Sequence, residues 1–186
     1  MYTLNDLTKY EYFKDIKIEH ALDSLTGVLA RNYIIGFAKK LIEDKTPFSL
    51  YIMDIDNFKQ INDQYGHNIG DKILLNVGKA AQQVFSSESV YRFGGDEFII
   101  IKNDLSLKEF KDKIKTLQKL ASNIEVDENN KGITLSFGYT YGVVSHVIDI
   151  RSMMKFADEL LYEVKRSGKN NSLGKRYDLD MVDETK

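Results

Sequence analysis

Cysteine is absent from the 186-residue chain, which excludes a disulfide framework, a thiolate metal site and a cysteine nucleophile. Histidine is scarce, and His20, His67 and His146 stand singly. A histidine-rich zinc site is therefore not expected, and each is read as a surface or packing residue. Charge of one sign is not in excess: the formal net charge is −2, so a broad electrostatic grip on nucleic acid or anionic lipid is not expected. No apolar run near the amino terminus is long enough for a signal peptide or a membrane span, and a cytoplasmic location is the expectation. No GxxxxGK[ST] occurs, which excludes a P-loop as phosphate cradle. What is there is ordinary for a globular protein, with 42% hydrophobic and 29% charged residues. The length suits one domain with a sizeable core.

Residues 1–22 are charged, with Leu4, Leu7, Phe13 and Ile16 at loosely helical spacing, and read as an amphipathic lead-in or linker stub. Tyr33, Ile34, Phe37, Ala38, Leu41 and Ile42 make one helical face. The only proline, Pro47, is expected to close that helix and introduce the buried strand "FSLYIMDI". "NFKQINDQYG" reads as a short helix ending at Gly66, followed by a longer one marked by Ile69, Ile73, Val77 and Val84 and running to about Phe85. Two strands flank Gly94-Gly95, a pair suited to a hairpin turn that needs positive φ. Ser106 and Glu109 form a capping box for a helix burying Leu107, Phe110, Ile114 and Leu117. "ENNKG" is a turn before the strand "ITLSFGYTYGVV". Met154, Ala157, Leu161 and Val164 face one side of a last helix that Gly168 ends. The expected class is α/β (α+β), with helices packed on a mostly antiparallel central sheet.

The chemistry concentrates in acids at strand ends. "VYRFGGDEFIII" sets Asp96 and Glu97 between two apolar runs, and the first long strand ends in "DIDNFKQIND". Asp54 and Asp56 lie on the same side of that extended chain. If the two strands neighbour one another, Asp54 meets Asp96 and Glu97 at one sheet edge. Such a cluster repels itself in water, and a hard divalent cation with oxygen ligands is the usual remedy. For Asp56 and Asp63 a second reading stands equally, as separate solvated turn residues. "DIDNFK" begins like a calcium loop, but Lys59 stands where the glycine belongs and Tyr65 where the bidentate acid belongs.

"RFGGDEF" resembles the signature of the GGDEF family, the diguanylate cyclases. "DSLTGVLARNY" (Asp23 to Tyr33) is similar to the family's opening DxLTGLxNR motif. "DIDNFKQINDQYGHNIGD" resembles its first strand and nucleotide-binding helix, "SFGYT" a later strand, and "ADELLYEVKRSGKN" the closing helix. The likeness runs in order from about Asp23 to Asn170. It implies a palm-like nucleotide cyclase fold, a catalytic domain over 23–177 and a polar tail over 178–186. It also implies a reaction in which two GTP molecules condense into cyclic di-GMP, releasing two pyrophosphates. Each domain holds one GTP, so a homodimer is implied, and the 3′-hydroxyl of each nucleotide attacks the α-phosphate of the other.

By the same resemblance, Asp54, Asp96, the Ile55 carbonyl and Glu97 ligate two magnesium or manganese ions per active site. Asp96 is the implied proton acceptor, with Glu97 assisting in catalysis. Gly94 and Gly95 let the backbone approach the nucleotide. Asn62 and Asp71 are implied as guanine readers; a carboxylate suits the guanine N1–H and N2 amino donors. Lys165 and Lys169 match the family's phosphate-binding positions, with Phe58 and Lys59 lining the triphosphate near a helix start. For both lysines a solvated helix end favoured by the helix dipole is the competing reading, and Phe58 suits a core position as well as a ligand wall.

The chain departs from the family pattern in places. Ala30 replaces the usual asparagine, and Lys169 replaces the common arginine, keeping the charge but losing the two-pronged grip. Where many members carry RxxD before the signature, this chain has "FSSE", with Phe85 and Glu88 in the key positions. Two rivals to an active cyclase remain: a non-catalytic GTP- or cyclic di-GMP-binding regulator on the same fold, and an interaction module paired through the lead-in. The upstream signal would come from a sensor domain outside this sequence.

Overall fold

A computed structural model describes residues 21–44, 46, 48–103, 106–127, 132–142 and 147–177. The lead-in up to residue 20, Pro47, the turn at 128–131, the Leu107 side chain, His146 and the tail from 178 lie outside the described residues. The chain runs β1 (Leu29–Ala30), a 3-10 turn (Arg31–Tyr33), α1 (Ile34–Glu43), β2 (Phe48–Ile55), α2 (Phe58–Tyr65) and α3 (His67–Phe85). It continues through β3 (Val90–Gly94), β4 (Glu97–Asn103), α4 (Leu107–Ala121), β5 (Leu135–Gly142), α5 (Val147–Arg166) and β6 (Ser172–Arg176). The sheet order is β1-β3-β4-β2-β5-β6. The four inner strands pair antiparallel, and each outer strand joins parallel. The sheet is thus mixed, with its antiparallel part at the centre.

Strand β2 is central because both of its faces are apolar. Successive side chains of a strand point to opposite faces. Tyr51, Met53 and Ile55 pack with Phe58 of α2, Ile73 and Val77 of α3, and Phe110, Ile114 and Leu117 of α4. Phe48, Leu50 and Ile52 pack with Phe37 and Leu41 of α1, and with Met153, Ala157 and Leu161 of α5. Burying side chains of this size contributes about 1.5–3 kcal/mol each before chain entropy is counted. These two layers set the helices over opposite faces.

Two local devices position the functional elements. The α4 capping box forms as expected: Glu109 N–H donates to Ser106 Oγ at 3.3 Å, and Ser106 N–H donates to Glu109 Oε2 at 2.9 Å. Gly138 lets α5 lie directly on β5, since a Cβ there would collide with the Ala157 carbonyl oxygen and the Leu161 amide nitrogen. That contact sets how α5 delivers its last turn to the end of β2. The sequence pattern misses β6, whose "SLGKR" has no apolar alternation; it is a short polar edge strand, held by backbone pairing to β5.

Candidate active site

The tip of β2 and the β3–β4 hairpin come together through register. Asp54 is the cross-strand partner of Glu97 on β4 and of Ser136 on β5. Gly94 pairs with Glu97 across the turn, after an irregularity between Arg92 and Gly94. Only Gly95 takes positive φ, at 53°, so Gly94 continues the strand and the turn needs one glycine for conformation. Arg92 fixes this turn: its Nε and Nη2 donate to the Gly95 carbonyl at 3.3 and 3.0 Å. Its Nη1 pairs with Asp23 Oδ1 at 3.0 Å. That same oxygen accepts from Thr26 N–H at 2.9 Å and Thr26 Oγ1 at 2.7 Å. Burial pushes the Asp23 carboxyl up, but the Thr26 hydrogen bonds and the Arg92 guanidinium outweigh it and hold the group below its usual value.

Asp54 is 6% exposed at the end of the buried strand. Burial pushes its pKa up to about 6; the Lys165 hydrogen bond and charge oppose the rise, and the charges of Asp96 and Glu97 add to it. Lys165 Nζ lies 2.7 Å from Asp54 Oδ2. Glu97 is also raised, first by burial, with Lys165 opposing and Asp158 and Asp96 adding. Four acids and one lysine therefore share one electrostatic neighbourhood. Asp158, which the sequence motifs did not single out as a site residue, joins it from α5. Among the described residues no three acid or histidine groups form a ready-made metal cage. The oxygen-only donor set and the raised acids nevertheless suit a hard divalent cation whose shell is completed by a ligand.

Asp56 departs from the solvated-turn reading. It is 3% exposed and accepts from Thr134 Oγ1 at 2.7 Å, Ser136 Oγ at 2.6 Å and Asn170 N–H at 3.0 Å. It ties the end of β2 to β5 and to the turn after α5. Hydroxyl and amide donors satisfy the buried charge, so it is committed to structure. Asp63 is exposed, as the solvated reading has it. The turn that Asp56 holds carries Lys169, whose Nζ donates to Asn57 Oδ1 at 2.6 Å at the start of α2. Lys169 and Asn57 both adopt left-handed backbone, at φ 63° and 61°.

Phe58 packs in the core, whereas Lys59 beside it is exposed. Asn62 is half-buried on α2 and Asp71 is exposed on α3. Ile55, between the two aspartates, is buried and pairs with Leu135. Phe85 is 1% exposed within the core. Glu88 accepts from Ser86 Oγ at 2.6 Å and lies 3.8 Å from Lys102 Nζ. Among the described residues no helix is long and apolar enough to cross a membrane.

A mixed six-stranded sheet carries an acidic Gly-Gly hairpin beside one of its two middle strands, and proteins of known class share this arrangement. Residues 20–171 match the family described as diguanylate cyclase, GGDEF domain, and the chain belongs to that family. It is 36% identical over 170 residues to the diguanylate cyclase DosC of Escherichia coli (strain K12), covering 86% of this chain and 36% of that protein. It is 31% identical to the diguanylate cyclase VdcA of Vibrio cholerae, covering 86% of this chain and 48% of that one. The chain thus spans less than half the length of these relatives. Among solved structures, the coiled coil and GGDEF domain of DgcB from Caulobacter crescentus, in complex with c-di-GMP, superposes with a TM-score of 0.75. That match covers 92% of this chain and 94% of the other at 23% identity. The active GGEEF domain of a Vibrio cholerae diguanylate cyclase gives 0.67 at 31% identity, covering 79% and 94%.

Proposed function

We propose that this chain is a catalytic domain that condenses two GTP molecules into cyclic di-GMP and two pyrophosphates. The observation that carries this reading is the convergence of Asp54, Glu97 and Lys165 beside the Asp96 turn, with both carboxyls raised first by burial, Asp54 further by the charges of Asp96 and Glu97 and Glu97 by those of Asp158 and Asp96. A self-repelling, partly buried acid cluster at the ends of the two middle strands is a poor structural device and a good site for a cation, through which phosphate oxygens can bind. Asp54, Asp96, Glu97 and the Ile55 carbonyl would hold two magnesium or manganese ions. When bound, these supply Lewis-acid stabilisation of charge developing on the phosphoryl oxygens.

The chain's own residues do the rest. Asp71 accepts from the guanine N1–H and N2 amino group, with Asn62 as second reader. Lys59, Lys165 and Lys169 hold the triphosphate near the start of α2, Lys165 leaving Asp54 to do so. Asp96 takes the proton as the 3′-hydroxyl of one GTP attacks the α-phosphate of the other, and pyrophosphate departs. Each chain has one such site, so two chains must face each other for the bond to form twice. A sensor segment elsewhere in a longer protein and a cytoplasmic setting complete the reading. Incubation with GTP and magnesium, followed by mass spectrometry, is expected to yield cyclic di-GMP, with specific activity rising with protein concentration. Asp54→Ala and Asp96→Ala should abolish it without loss of fold; undiminished activity in either removes the assignment.

A further inference from the structure

Helices α2 and α3 join at Gly66 and then lie so close that the Gly70 backbone touches the Asn62 side chain. A Cβ on Gly70 would overlap Asn62 Oδ1, and it would lie 2.9 Å from Asn62 Cγ and 3.1 Å from Phe58 Cζ. Asn62 Oδ1 is buried there with no hydrogen-bond partner. A buried amide oxygen without a proper donor is unfavourable, and a Cα–H is only a weak one. The carboxamide is thus lodged where Gly70 leaves room, held by shape and not by strong bonding. Gly70 is buried within α3, at a position where alanine would favour the helix more. Helix propensity has been given up at a point where the missing side chain makes space for one polar group.

We propose that Gly70 is a positioning residue for base recognition: by admitting the Asn62 carboxamide against α3, it aligns Asn62 with Asp71, the next residue along the helix, on one purine. This inference rests on the reading of Asn62 and Asp71 as guanine readers. The motif "HNIGD" therefore carries two functions in adjacent letters, a space for one reader and the carboxylate of the other. Because the obstructed atom is the end of a side chain, Gly70→Ala should displace Asn62 and leave the backbone in place.

The test is calorimetric titration of the native chain, Gly70→Ala, Asn62→Ala and the double variant. The probes are a non-cleavable guanosine triphosphate analogue and its adenosine counterpart, with melting temperatures measured alongside. Gly70→Ala is expected to weaken the guanosine analogue about tenfold, the scale of one lost hydrogen bond. Its melting temperature should not fall, and adenosine binding should not change. The double variant should bind as Asn62→Ala alone does. Native-like guanosine binding by Gly70→Ala beside a weakened Asn62→Ala would overturn the inference, as would multiplying losses in the double variant. A lowered melting temperature that the double variant does not restore would also overturn it, since Gly70 would then serve packing against Phe58. Native-like binding by Asn62→Ala would instead remove Asn62 as a reader, and the inference with it.

Discussion

Replacing Asp56 with alanine should damage the fold more than any comparable change at the site. Its carboxylate accepts three hydrogen bonds, from Thr134, Ser136 and the Asn170 amide, at 2.6–3.0 Å in a nearly inaccessible position. Hydrogen bonds to a charged acceptor contribute about 1.5–3 kcal/mol each. The two hydroxyls can turn toward other partners, whereas the Asn170 amide is fixed by the backbone. A net loss of about 3–5 kcal/mol is expected, similar to removal of one member of a buried charged pair. That is a large share of an ordinary domain's stability, and it lowers the melting temperature by roughly 6–20 °C for a chain of this size. Asp56→Asn keeps one acceptor oxygen and should lose less, about 1–2 kcal/mol. Urea unfolding and thermal melting with and without magnesium make the assay. In both variants the stabilisation gained from magnesium should match that of the native chain, since Asp56 is already occupied by protein donors. An Asp56→Ala variant within about 1 kcal/mol of native, or an Asp56→Asn variant that loses its response to magnesium, would refute the structural assignment.

Three further outcomes are expected. The Asp54 carboxyl titrates at about 6 against an ordinary 3.8, so the folded state holds its proton more tightly than the unfolded one. Without divalent cations the domain should lose up to about 3 kcal/mol as pH rises from about 4 through 6. Asp54→Asn should flatten that slope in a pH series of urea unfolding, and an unchanged slope would count against it. GTP should be preferred over ATP by roughly 10- to 100-fold, the scale of hydrogen bonds to a charged acceptor, because the exposed Asp71 would face an acceptor at adenine N1, and Asp71→Ser should relax the preference; equal yields from an equimolar mixture would contradict this. With Phe85 in the core and Glu88 engaged by Ser86, tight product inhibition through that segment is not expected. Calorimetry revealing tight cyclic di-GMP binding that survives loss of the active-site acids would show another surface in that role.

The sequence by itself determined most of the elements and the residue types gathered at the site. Apolar spacing marks α1, β2, α3 and α4 because a helix or strand must present a repeating face to a core. The order of motifs around "RFGGDEF" identifies the family, since its acids, glycines and lysines are needed as residue types whatever surrounds them. The edge strands β1 and β6 carry no such apolar pattern, because a short strand held by backbone pairing needs none. Other features depend on which segments meet. Asp56 looked like its neighbour Asp54, and only the arrival of Thr134, Ser136 and Asn170 turns it into a buried tie. Asp23 and Arg92 belong to separate motifs until folding joins them across the hairpin turn. Gly70 gains its meaning from the side chain of Asn62 lying over it. Residue type is written locally, but burial, partnership and pKa arise from long-range packing, and a linear pattern does not contain the distances that create them.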